Sequence, residues 1–201
     1  MDRIIPKTKL VILASGRGSN FKAIAEAIDR GTLPHSVIAG LISNRKDAPV
    51  LHLAKQNNIP HFLIESSQYV VNGSFNRIGY EEQLLDVLNS LKPDLICLAG
   101  YLLLLGSAII KHYPNRIINI HPSLLPAFKG LHAQAQAIRA GVSTTGCTVH
   151  WVTDALDAGP IILQKSVPIL PNDTEESLSL RMLPIEHQTY IEALNLILTK
   201  P

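Results

Sequence analysis

The chain of 201 residues predicts an α/β fold: a doubly wound, mostly parallel sheet with an antiparallel pair after the segment Asn119–Pro126. Three observations carry this. Short apolar runs alternate with helical stripes from early in the chain, as parallel strands buried on both faces and joined by right-handed crossovers do. A glycine turn, Ser15–Gly18, closes the first apolar run and opens the first stripe. After His121 the order changes, and two apolar runs follow each other across a short loop containing Gly and Asp, the signal of an antiparallel pair.

The elements follow in order. Lys9–Leu13 is the first strand, and Phe21, Ile24, Ala25 and Ile28 mark the helix behind it, with Ser19 or Asn20 placed as its N-cap. Val37–Ile42 reads as a strand, a helix is expected near Val50–Gln56, and His61–Ile64 is a third strand. A longer helix covers roughly Tyr80–Leu91, Leu95–Leu98 is the fourth strand and Ile117–Asn119 the fifth. Cys147–Val152 and Pro160–Gln164 form the antiparallel pair. Ile191, Leu194 and Ile197 or Leu198 share one face of a C-terminal helical stretch, Thr174–Lys200, which Pro184 divides into two helices or kinks.

With 46% hydrophobic and 17% charged residues, the composition is that of a folded chain with a full core, and no repeat or linker divides it. One domain, 1–201, is expected. Eighteen basic against sixteen acidic residues leave a net charge of +2, with no Lys/Arg run. A nucleic-acid partner is therefore not expected. Nor is a membrane: the longest apolar stretch, Leu95–Leu105, is broken by Gly100 and is shorter than the ~20 residues a spanning helix takes. Cys97 and Cys147 lie in apolar runs without metal-ligand spacing, so both read as buried small hydrophobes and no metal is expected. The opening MDRIIPKTKL has no signal-peptide core, and the cytoplasm is the expected compartment.

Two segments carry chemistry. Ser15-Gly16-Arg17-Gly18-Ser19-Asn20 ends a strand and starts a helix, which presents backbone N–H groups and a positive dipole end to a phosphate. It is not a dinucleotide fingerprint, because Phe21 stands where the third glycine belongs, and it lacks the Lys of a Walker loop. The other reading of this loop is an ordinary strand-to-helix turn. The second segment, Asn119-Ile-His121-Pro-Ser-Leu-Leu-Pro126, puts an amide and an imidazole two residues apart, on one face of an extended strand that the prolines terminate. With a carboxylate from TDALDAGP, these are the groups that proton-shuttling acyl transfer needs. Spacing alone leaves Asp154 and Asp157 both open as that carboxylate, and a capping Asn119 with a packed His121 is the structural alternative.

Taken together, SGRGSN, LAGYLLLL, NIHPSLLPAFKGLHAQAQA, GCTVHWVTDALDAGPIILQ and Glu186-His187 resemble the phosphoribosylglycinamide formyltransferases. These are a family of the 10-formyltetrahydrofolate-dependent formyltransferase superfamily, and the resemblance covers nearly the whole chain. It implies transfer of a formyl group from 10-formyltetrahydrofolate, as co-substrate, to the amine of 5-phosphoribosylglycinamide, without a metal. Carried over by motif, it implies Asn119, His121 and Asp157 as the catalytic trio, Asp157 by its place in LDxGP. Gly18, Ser19 and Asn20 would grip the substrate phosphate, and Glu186 would contact the same substrate. Folate would lie against Arg77, Leu102, Leu103, Leu104, Leu105 and Asn119, and along Thr153, Asp154, Ala155, Leu156 and Asp157. The chain departs from several relatives at Leu103, where they carry Arg, at Pro184 just before Glu186, and in ending soon after the last helix. Formyltetrahydrofolate hydrolysis is the rival reading. Of the remaining histidines, His35, His52, His61 and His112 read as solvated or capping, His187 accompanies Glu186, and His132 and His150 fall near the motif in sequence.

Overall fold

The computed structural model describes residues 7–199, which divide into two compact units, one ending at Ile117 and the other beginning at Ile118. In the first unit, strand β1 (Thr8–Leu13) leads through the glycine turn into α1 (Ser19–Asp29), followed by β2 (Ser36–Ser43), α2 (Pro49–Gln56) and β3 (His61–Leu63). A 3₁₀ turn (Ser66–Tyr69) and a small hairpin of β4 (Val70–Val71) and β5 (Ser74–Phe75) precede α3 (Arg77–Leu91), β6 (Leu95–Leu98) and α4 (Ser107–His112). The strands stand in the order β3-β2-β1-β6, every neighbouring pair parallel. Leu10–Leu13 of β1 and Ile96 and Cys97 of β6 are fully buried, as expected for central strands covered on both sides. The chain winds outward from β1 to β3 and then returns to the other side of β1. A reversal of that kind opens a crevice beyond the carboxyl ends of the two central strands.

The second unit holds β7 (Ile117–His121), α5 (Ala133–Arg139), β8 (Thr144–Trp151), β9 (Ile161–Pro168) and α6 (Glu175–Leu198). Here β7 pairs antiparallel with β8, and β8 with β9. The expected antiparallel pair is β8 with β9, and β7 extends it to three strands by pairing antiparallel with β8. Helix α6 packs on β8, β9 and α5, its Leu178, Met182, Thr189, Ala193 and Leu194 are buried, and each large apolar side chain so covered contributes ~1.5–3 kcal/mol.

Three expectations need correction. Gly18, not Ser19 or Asn20, is the N-cap of α1, and it takes the left-handed conformation (φ +77°). A side chain there would meet Val50 Cγ2 at 2.3 Å, so only glycine lets α1 start this close to α2. Helix α3 begins at Arg77 instead of Tyr80, capped by the Asn76 side chain accepting from Gly79 N–H. Of the two outcomes expected at Pro184, division into two helices does not occur, and α6 runs as one helix through it. The carbonyl deprived of its partner is that of Leu180, an exposed residue, so solvent can satisfy it while packing on either side holds the helix together.

Candidate active site

In the first unit, the turn after β1 meets the loop after β6 at the crevice. Ser15 N–H donates to Gly100 C=O (3.0 Å), and Leu102 N–H donates to the Ser15 hydroxyl (2.8 Å), which itself donates to Asn44 Oδ1 (2.6 Å). Helix α1 has no side-chain cap and no acidic residue in its first turn, so its positive end faces the turn uncompensated. Asn20 is buried within that first turn.

The Leu102–Leu105 loop is pinned along its backbone. Arg77 donates to Leu104 C=O (2.5 Å), Gly106 N–H donates to buried Glu81 (2.7 Å), and Arg77 also pairs with Glu81 (3.3 Å). The Tyr80 and Tyr101 hydroxyls meet, and burial pushes Tyr80 up to about 12 and Tyr101 further, so both stay protonated. Held this way, the loop turns the Leu102 and Leu104 side chains outward, 58% and 60% exposed, while Leu103 is half-buried. Two exposed leucines on a rigid loop form a ready apolar wall.

In the second unit, register builds the site. Asn119 stands opposite His150, and His121 opposite Thr148, which stands opposite Gln164 on β9. Paired residues share a face and alternate residues along a strand do too, so these five side chains form one polar face, while Ile118, Ile120, Cys147 and Val149 leave the other. That second face is the one α6 covers, with Cys147 Sγ 3.4 Å from Thr189 Oγ1. Burial pushes the Cys147 thiol up, which keeps it protonated and unreactive.

The loop that carries Asp157 reaches the polar face. One carboxylate oxygen lies 3.4 Å from His121 Nδ1 and accepts from Gly130 N–H (2.8 Å); the other lies 3.7 Å from His150 Nε2. Asp157 adopts a left-handed conformation (φ +45°), which Asp tolerates better than most residues, and this aims its side chain inward. Asp154 is exposed in the turn before it, and Thr153, Ala155 and Leu156 are exposed with it. Asp157 thus faces the imidazole.

Both histidines have their tautomers set by carbonyls. Both His121 nitrogens face acceptors, Nε2 the Phe128 C=O at 2.9 Å and Nδ1 the Asp157 carboxylate at 3.4 Å, and the shorter contact, the one with hydrogen-bond geometry, places the single proton of the neutral ring on Nε2. His150 Nδ1 lies 2.9 Å from Trp151 C=O and donates there; its Nε2 accepts from the Asn119 amide at 3.3 Å. Burial holds His150 below the usual histidine range, which favours this neutral, accepting form.

Sequence reasoning placed Asn119, His121 and Asp157 but gave no role to Thr148 or Gln164, and noted His150 only as a structural neighbour. The period-2 alternation of CTVHWV was the available signal, and it becomes decisive only once the β7–β8 register is known. Glu186 is buried on α6, where its charge acts on the Cys147 thiol from the covered face. Among the described residues no group of three or more His, Cys, Asp or Glu side chains is arranged for a metal ion, and no helix is long and apolar enough to cross a membrane.

A strand-end amide, imidazole and carboxylate on one polar face, with a glycine turn at a helix start, define a group-transfer enzyme of the formyl transferase type. The formyl transferase family model matches residues 8–194, and the chain belongs to that family. It is 40% identical over 182 residues to phosphoribosylglycinamide formyltransferase of Bacillus subtilis, covering 90% of each chain. It is 38% identical to the trifunctional purine biosynthetic protein adenosine-3 of Drosophila melanogaster, covering 95% of this chain but only 14% of that protein's length. Among solved structures, phosphoribosylglycinamide formyltransferase of Bacillus halodurans matches with a TM-score of 0.87 at 39% identity, over 96% of both chains.

Proposed function

We propose that this chain transfers the formyl group of 10-formyltetrahydrofolate to the amine of 5-phosphoribosylglycinamide, a step of purine synthesis. The observation that carries the reading is the meeting of Asn119, His121 and Asp157 on one face, with Asp157 3.4 Å from His121 Nδ1. The family match, uninterrupted over residues 8–194, supports reading the two units as one formyltransferase domain.

The reaction follows from those groups. The acceptor amine attacks the formyl carbon, a tetrahedral intermediate with a negative oxygen forms, and the C–N bond to the folate nitrogen then breaks. The Asn119 amide has two N–H bonds; one is directed to His150 and the other serves the oxygen. His121 takes up a proton at Nδ1, 3.4 Å from the Asp157 carboxylate. The resulting cation adds to the stabilisation of the oxygen and conducts the attacking amine's proton toward the leaving nitrogen. No bond to the enzyme forms. The Gly18–Asn20 turn would hold the phosphate by backbone N–H groups, and the apolar wall of Leu102–Leu105 the folate ring, with Thr153–Leu156 beside Asp157. Glu186 is assigned to the ribonucleotide on the resemblance alone.

The test is product analysis. Mixing purified protein with both substrates should give the formylated ribonucleotide and tetrahydrofolate in equal amounts by mass spectrometry. Formate in place of the formylated ribonucleotide would mean hydrolysis.

A further inference from the structure

We infer that Gln164, on β9, is a positioning residue for His121, acting through the loop Pro122–Phe128. The kinetic part of this inference rests on the formyl-transfer reading; the tautomer part does not.

Gln164 closes the row His121–Thr148–Gln164 across the three antiparallel strands. Its amide nitrogen has two protons, and each has a partner: Leu125 C=O at 2.9 Å and Thr148 Oγ1 at 2.8 Å. The Thr148 hydroxyl also accepts from Leu125 N–H (3.1 Å), so both of its acceptor positions are filled and its one proton goes to Ser123 C=O (2.7 Å). Gln164 thus completes the set of bonds that fixes the threonine rotor. From there the loop is tied to itself. Ser123 Oγ donates to Ala127 C=O (2.6 Å), and Ala127 N–H donates to Leu124 C=O (3.1 Å).

Phe128, the next residue, is held in the left-handed region (φ +54°), which an aromatic residue does not choose unaided. In that conformation its carbonyl meets His121 Nε2. The amide of Gln164 is therefore the outer anchor of a chain of hydrogen bonds whose last member sets the tautomer of the proposed catalytic imidazole. The side chain is only half-buried and touches no group of the trio, which separates it from the residues already assigned to the reaction.

The test uses Gln164→Met, which keeps length without a donor, and Gln164→Glu, which puts an acceptor where the donor was and draws the Thr148 proton away from Ser123. Nitrogen NMR of labelled histidine reads the tautomer of neutral His121, and steady-state kinetics read kcat and both KM values. We expect the parent to hold the Nε2–H tautomer and both variants to show a substantial Nδ1–H population. Their kcat should fall by roughly 10- to 100-fold, the scale on which displaced catalytic groups lose rate, with KM values within about twofold. A pure Nε2–H tautomer in both folded variants would overturn the inference, whatever their activity. If the parent itself lacks formyl transfer but the tautomer shifts as stated, the positioning stands and the functional reading fails.

Discussion

The two units build their sites from different materials. At the β1–α1 turn the working groups belong to the backbone: Gly18 in a left-handed conformation, an uncapped helix end, and a loop pinned by Ser15. On the β7–β8–β9 face they are side chains, and neighbouring strands set them by register. In the proposed reaction, the difference separates binding from chemistry. Backbone N–H groups at a helix start attract an anion but cannot move a proton, whereas an imidazole between a carbonyl and a carboxylate can. Changes on the polar face should therefore act on kcat, and changes in the turn on ribonucleotide binding.

The largest effect is expected at His121. His121→Ala should lower kcat by roughly 10²-fold or more, with ribonucleotide affinity by calorimetry within about twofold of the parent. A large loss of affinity with kcat preserved would reverse the division between the units. Asp157→Asn should come next, by on the order of tenfold or more, since it removes the negative charge 3.4 Å from His121 Nδ1 while keeping an amide oxygen that can accept from Gly130 N–H. Asp154→Asn should stay near the parent rate, and equal losses at the two positions would show that the geometry at Asp157 is not what matters.

In the turn, Gly18→Ala forces a side chain into left-handed backbone and against Val50, at a cost of about 1–2 kcal/mol for the backbone alone. Denaturant unfolding should show the stability loss. Asn20→Leu, which leaves that backbone alone, should raise the KM for the ribonucleotide well above any change for the folate. An equal rise in both would make the turn a structural element only.

The smallest effect concerns acid. His150 is held below its ordinary value of 6.5 by burial, so as pH falls past 6.5 the unfolded chain binds a proton that the folded chain does not. Its contribution to stability is thus unchanged above that range and declines below it. Urea unfolding at neutral and mildly acidic pH should show a loss in the parent that is smaller in His150→Gln; equal losses would show that His150 titrates normally in the folded state.

Much of this was legible before the structure. Parallel strands announced themselves as apolar runs, and Asn119 and His121 were placed on one face by their spacing alone. What stayed hidden depended on pairing. Nothing in the sequence says that His121 stands opposite Thr148 and Thr148 opposite Gln164, so that polar row could not be read from either strand by itself. Gly18 was misjudged for a related reason: Ser19 and Asn20 are good caps by type, but the close approach of Val50 decides which residue can turn there. Pro184 shows packing overriding propensity, with a helix carried through a residue that would break it in isolation.

The most direct test of the account is whether folate release waits for the acceptor. Formyl transfer to an amine needs that amine held in line with the formyl carbon, and positioning of this kind supplies several kcal/mol of barrier reduction, on the order of 7–11 at best. Water has no phosphate by which the Gly18–Asn20 turn could hold it. Purified protein with 10-formyltetrahydrofolate alone should therefore release little tetrahydrofolate by absorbance, and adding 5-phosphoribosylglycinamide should start rapid release. Fast release without any acceptor would contradict the transferase account and point to hydrolysis instead.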